Sequence, residues 1–357
     1  MFEFFWLPAI SAMLSAGAVL ILRPLATRGG LLDHPGGRKR HEGSTPLVGG
    51  MAILIALWIS SAMFVRGYDH YTALYIGLTL LALVGLFDDL NGVSPLSKLA
   101  FQFFAAILMT SWGEVYLHSL GDLLYKRDVI LYAWGIPLTL LATLSVVNAI
   151  NMTDGMDGMD GLAGGLSLIV FAWFSWLAHD VGNPGALRIC LLMCGAIAGF
   201  LLFNMPSPLR QRLVFLGDAG SLLLGYGISW FSVELSQKEY NPGGHVPPAV
   251  MLWVVGLILI DLLAVVIRRA VQGKNPLSAD RTHLHHLLLR MGFSTKQTVW
   301  FLLVGNFVLG LIGVVAWKKG VPESIIFAGF LLFTGLHLLV MQRAWIVIRW
   351  VRRIRSR

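Results

Sequence analysis

Charge is scarce in this chain. Only 13% of its 357 residues are Asp, Glu, Lys or Arg, where soluble domains carry about a quarter. That shortage excludes a large solvent-facing surface. Together with 56% hydrophobic residues and a mean hydropathy of +0.73, it makes lipid the expected surroundings. Cysteine is scarcer still: Cys190 and Cys194 stand four apart within one apolar run. They exclude a disulfide framework or a zinc site and read as packing. No basic segment precedes the first apolar run, which follows Glu3, and no small-residue cleavage site closes it. A removable signal peptide is therefore not expected.

Long apolar runs are what the chain has in quantity. Windows of about 20 apolar residues are candidates to cross a bilayer as helices. Eleven are read here, at 4–22, 47–65, 71–87, 98–112, 129–147, 162–178, 186–204, 213–232, 248–267, 299–317 and 322–341. Helices satisfy their own backbone groups in lipid. The expected fold is thus an all-α polytopic bundle of about 11 spans, one integral-membrane domain over 1–357 with a basic tail at 342–357. The net charge of +8 reflects topology rather than nucleic acid. Twenty of the 27 Lys and Arg fall in loops of one side and in the tail. By the positive-inside rule that side is cytoplasmic, the N-terminus outside and the C-terminus inside.

The polar residues gather on that same side. The stretch NAINMTDGMDGMDGLAGGLS puts Asn148, Asn151, Asp154, Asp157 and Asp160 between two apolar runs. Such groups are costly in a membrane and are functional candidates by default. Asn148, Asn151 and Asp154 share a helical face, and each acid of the Asp-Gly repeat is followed by a glycine that admits close approach of a ligand. Asp88 and Asp89 end the third run. Adjacent carboxylates there oppose the helix dipole and repel each other, so Lys98, a metal ion or a bound proton has to neutralise them. Asp218 opens the eighth run within FLGDAGS, as a helix cap or as a metal ligand. Asp261 is embedded in the ninth run, where a pair with Arg268 or Arg269 is the expected explanation. Arg38, Lys39, Arg40 and His41 are consecutive. They suit anionic headgroups and equally a phosphate-bearing lipid. The loop after the ninth run holds Arg269, Arg281, His283, His285 and His286. Without a Cys or HExxH beside it, HxHH is a poor zinc site. Histidines beside arginines suit a diphosphate.

This inventory matches one chemistry. Hard carboxylate and amide oxygens suit Mg²⁺, which takes one or two carboxylates plus substrate phosphates. Phosphoryl transfer needs little beyond positioning and charge neutralisation. The expectation is a Mg²⁺-dependent phosphoryl-transfer site, with Mn²⁺ as a substitute ion, facing the cytoplasm and acting on an acceptor in the bilayer.

The motifs also resemble a known family. Asp-Asp at 88–89, NAIN with its DG repeats from 148, FLGDAGS at 215–221 and HLHH at 283–286 look like the polyprenyl-phosphate N-acetylhexosamine-1-phosphate transferases. RKRHEGSTPLVGG, NPLSADRTHLHH and the basic tail look most like its bacterial GlcNAc-transferring branch. The resemblance covers nearly the whole chain. It implies an inner-membrane enzyme that takes UDP-GlcNAc and undecaprenyl phosphate to undecaprenyl-diphospho-GlcNAc and UMP, starting O-antigen and related cell-surface polysaccharides. A homodimer is among the expected assemblies. By motif, Asn151 and Asp218 would hold Mg²⁺, and Asp88, with Asp89 beside it, would deprotonate or orient the lipid phosphate. Asp154 and Asp157 would position nucleotide and metal. His283, His285 and His286, with Arg269 and Arg281, would hold the sugar nucleotide. Asn148, Asp160, Lys98, Arg38 and Arg40 are the remaining candidates for substrate contact.

Two departures from the family pattern stand out. An extra Asp-Gly-Met triplet precedes Leu162, so Asp157 fills a family position in either alignment while Asp154 and Asp160 alternate. Gly92 stands where relatives using muramyl-pentapeptide have a lysine, which argues against that substrate. Among rival functions, a transporter or flippase would place its charges near the bilayer midplane, with repeats. A CDP-alcohol phosphotransferase would need DGxxAR, which is absent. Another UDP-N-acetylhexosamine, of the GalNAc, QuiNAc or FucNAc type, is the nearer alternative.

Overall fold

The computed structural model describes residues 3–33, 44–65, 68–125, 127–154, 161–205, 213–241, 243–271, 273 and 283–343. These form two compact units, one from residues 1–119 with 130–248, the other from 120–129 with 249–357. The first holds α1 (Glu3–Gly29), α2 (Gly49–Phe64), α3 (Thr72–Asn91), α4 (Pro95–Ile107), α5 (Gly135–Asp154), α6 (Leu162–Asp180), α7 (Pro184–Asn204) and α8 (Gly217–Glu234). The second carries α9 (Pro248–Val254), α10 (Gly256–Val271), α11 (Leu284–Arg290), α12 (Thr295–Lys318) and α13 (Glu323–Gln342).

Among the described residues, seven helices are long and apolar enough to cross a membrane, and eight candidate spans result if the α9–α10 pair, bent by 83°, counts as one. The chain is a multi-pass membrane protein, and among the described residues three of the eleven expected runs miss that measure for local reasons. The 16 residues of α2 reach about 24 Å at 1.5 Å per residue, short of a hydrocarbon core of about 30 Å. The run at 98–112 is α4, 13 residues long, continued by a wide turn at Leu108–Trp112. The run at 213–232 is α8, whose residues are all buried except Asp218 and Ser232. Shielded by protein, α8 can carry Asp218, Ser221, Ser229, Ser232 and Glu234.

Helix α8 is the axis of the first unit, packed against α3 and α5. Its start is held by the segment before α2. Thr45–Pro46 pairs antiparallel with Leu32–Asp33, and Phe215 N donates to Pro46 O at 2.9 Å. Gly49 N and Gly50 N donate to Phe215 O and Leu216 O, each at 2.9 Å. A side chain at Gly50 would collide with the backbone of Gly220, and one at Gly85 with the backbone of Ala219. The far end of α8 is closed by the fully buried Glu234, which accepts from Tyr71, Trp230 and Asn183 at 2.8, 2.8 and 3.1 Å.

Candidate active site

Four helix ends of the first unit meet: the C-termini of α3 and α5 and the N-termini of α4 and α8. The α3–α4 corner follows from its sequence. Helix α3 stops at Gly92, with φ of 71°, a conformation glycine adopts freely. Ser94 then caps α4 by accepting from Ser97 N, and Pro95 occupies the first turn. One turn into α4, Lys98 is folded back over the end of α3.

Lys98 Nζ lies 2.6 Å from Asp88 Oδ2 and 2.5 Å from Asp218 Oδ2. The other Asp88 oxygen accepts from Val93 N at 2.5 Å. Asn151 Nδ2 donates to Asp218 Oδ1 at 2.9 Å and to Ser221 Oγ at 2.8 Å. Side chains from four helices are thus joined through Asp218. Of the three ways to neutralise Asp88, the structure displays Lys98. The side chains of Asp88, Lys98 and Asp218 are 14, 20 and 25% exposed, so a ligand can reach them.

Asp89 points elsewhere. Its carboxylate accepts from Asp218 N at 3.1 Å and Ala219 N at 3.4 Å, capping α8 from α3. The orphan amides of a helix start favour an anion. Gly217 is required by the same contact, since a Cβ there would stand 2.6 Å from Asp89 Oδ2 at a φ of +73°. The cap of α8 is therefore Asp89 and not Asp218, a role invisible in sequence because the two lie 129 residues apart. Asn148 bonds Gln102, which the sequence reading passed over although a buried glutamine in an apolar run is itself a signal. Asp154 is half-buried at the end of α5. Arg38, Arg40, Asp157, Asp160 and Arg281 lie outside the described residues, as does the choice between Asp154 and Asp160.

The second unit holds the other cluster. Asp261 does not pair with Arg268 or Arg269 as expected. Its Oδ2 is 2.9 Å from His283 Nδ1, and its Oδ1 accepts from Leu284 N at 2.8 Å, so it anchors the start of α11. The rings of His283 and His285 stack at 5.7 Å, and those of His285 and His286 approach to 3.9 Å. Burial, followed by the neighbouring histidines, pulls His285 down to about 3. That favours the neutral ring, which still has one N–H to donate. Arg269 is buried in the same unit.

A divalent cation fits the first cluster by its donor set. Counted as ionised, Asp88 and Asp218 leave one negative charge beyond what Lys98 cancels. Their oxygens and the Asn151 amide are the hard donors such an ion takes.

Glycosyl transferase family 4 matches residues 71–236, the stretch that carries α3 to α8. The chain is 34% identical to the undecaprenyl-phosphate alpha-N-acetylglucosaminyl 1-phosphate transferase of Haemophilus influenzae, over 95% of this chain and 94% of that one. The chain belongs to this family. The protein of the same name from Escherichia coli K12 is 34% identical over 94% and 90% of the two chains, and that of Yersinia pestis 32% over 97% and 93%. This family member is a transferase, and its matched stretch contains every residue of the α3–α4–α5–α8 cluster.

Proposed function

We propose that this transferase moves GlcNAc-1-phosphate from UDP-GlcNAc to undecaprenyl phosphate in the bacterial inner membrane, with its site open to the cytoplasm. The observation that supports it most is the meeting of Asp88, Lys98, Asn151 and Asp218 at one end of the first unit. The shared name of relatives aligned over nearly their whole length supports the substrates.

In the proposed reaction an oxygen of the lipid phosphate attacks the β-phosphorus of UDP-GlcNAc in line. The bond to the α-phosphate oxygen breaks, and UMP leaves with that oxygen. Asp88 orients the attacking phosphate and accepts its proton where it arrives protonated. Lys98, held between two carboxylates, presents its ammonium to the phosphates. Asp218 and Asn151 would hold Mg²⁺, which supplies charge neutralisation for the diphosphate. Asp154 and Asp157 are assigned to positioning of nucleotide and metal, and Arg269 and the three histidines to the sugar nucleotide. The product would initiate assembly of a cell-surface polysaccharide.

The test is UMP release by membranes given undecaprenyl phosphate, Mg²⁺ and each of a panel of UDP-N-acetylhexosamines. UDP-GlcNAc is expected to be turned over fastest, EDTA to stop the reaction and Asp218→Asn to abolish it. Faster turnover of another UDP-sugar would reassign the donor. Full activity of Asp218→Asn would remove that residue from the site.

A further inference from the structure

Below the ionic cluster lies a second polar contact between α4 and α5. Asn148 Nδ2 donates to Gln102 Oε1 at 2.6 Å, with the return contact from Gln102 Nε2 to Asn148 Oδ1 at 3.5 Å. The same Nδ2 also donates to Leu144 O at 2.8 Å. Gln102 is 2% exposed. In such surroundings an amide without its partner is costly, so the pair holds the two helices in one register.

Its place along the helices gives it a second consequence. Gln102 is four residues from Lys98 on α4, and Asn148 is three from Asn151 on α5; at those spacings each pair shares a helical face. The two steps are about 6 Å and 4.5 Å along the axes. Moving outward from the amide pair, α4 delivers Lys98 and α5 delivers Asn151. Both end on Asp218, Lys98 on Oδ2 and Asn151 on Oδ1. Sliding α4 against α5 would pull the two ligands off the same carboxylate.

We propose that Gln102 and Asn148 form an amide clasp that positions Lys98 and Asn151 on Asp218, so that Gln102 is a positioning residue for the transfer reaction and Asn148 acts through it rather than on substrate. This inference rests on the proposed reaction for its kinetic readout, and on geometry alone for a second one.

The experiment compares wild type with Gln102→Leu, Gln102→Asn, Asn148→Gln and the double swap Gln102→Asn with Asn148→Gln. The swap keeps one long and one short amide, so the total reach across the helices is retained. The first readout is UMP release. Each single variant is expected to lower kcat by about 10- to 100-fold, the scale of a misplacement of about 1 Å. KM for UDP-GlcNAc should stay near that of wild type, and the double swap should recover most of the loss. The second readout is the rate at which a water-soluble acylating reagent labels Lys98 in the purified, folded protein, followed by peptide mass analysis. Labelling should speed up in the single variants and return toward wild type in the swap.

Wild-type kcat and wild-type labelling in the single variants would overturn the clasp. So would a swap no better than its worse parent, or loss of thermal stability with kcat and labelling unchanged. A raised KM in Asn148→Gln that the swap leaves in place would return Asn148 to substrate contact. An inactive wild type would count against the proposed reaction alone, since the labelling readout still decides the clasp.

Discussion

At the scale of single residues, Asp88 and Asp89 show how two adjacent carboxylates divide their work. They are 100° apart around α3, so only one can face Lys98. Asp88 does, at 2.6 Å. Asp89 turns to the amides of Asp218 and Ala219 and so sets the direction in which Asp218 leaves the backbone. This yields a contrast. Asp89→Ala removes both acceptors of a cap and should cost about 1 kcal/mol of stability, together with most of kcat. Asp89→Asn keeps one acceptor oxygen and should retain more of both. Thermal unfolding and UMP release of the two variants check this. Equal loss of turnover in both, with stability untouched, would mean that Asp89 touches substrate instead. The residue types were legible in the sequence, but their partners were not. Lys98 stood among the candidates for Asp88 because it is ten residues away. Asp89 on α8 and Asp261 on His283 are pairings over 129 and 22 residues that only the folded chain brings together.

At the scale of elements, helix existence was readable from apolar runs, whereas the membrane role of each helix was not. Hydropathy reports what a helix faces only when that is lipid. Helix α8 is buried in protein, so its serines and acids were compatible with an apolar run and uninformative about its neighbours. What admits it to the centre is small residues on adjacent helices. Gly85 of α3 lies against the backbone of Asp218 and Ala219, leaving no room for a methyl group. Gly85→Ala should therefore push the first turn of α8 away from α3. Overpacking of this kind costs about 1–3 kcal/mol, and the displaced turn carries both Asp218 and the amides that Asp89 caps. The variant is expected to lose turnover out of proportion to its stability. Circular dichroism melting alongside UMP release checks it; wild-type turnover would show that the first turn of α8 tolerates displacement.

At the scale of the whole molecule, the first unit separates its chemistry along one axis. Asp88 and Lys98 stand at the C-terminal end of α3, while Tyr71, just before its first residue, bonds Glu234 at the last residue of α8. The 20 residues of α3 span about 30 Å, the thickness of a hydrocarbon core. On the proposed topology the two ends lie at opposite surfaces of the bilayer, with the excess of Lys and Arg assigning the Asp88 end to the cytoplasm. Single cysteines can test that assignment. Cys190 is buried and Cys194 half-buried, so both are first replaced by alanine or serine in a variant shown to release UMP. Asn91→Cys, exposed beside the ionic cluster, and Glu239→Cys, exposed beyond the far end of α8, are then introduced one at a time. A membrane-impermeant thiol reagent added to spheroplasts should label Glu239→Cys and spare Asn91→Cys until the membrane is opened. The reverse pattern would invert the protein, placing the site where no cytoplasmic sugar nucleotide could reach it. Labelling of both positions from one side would break the link between helix length and bilayer thickness on which the topology rests.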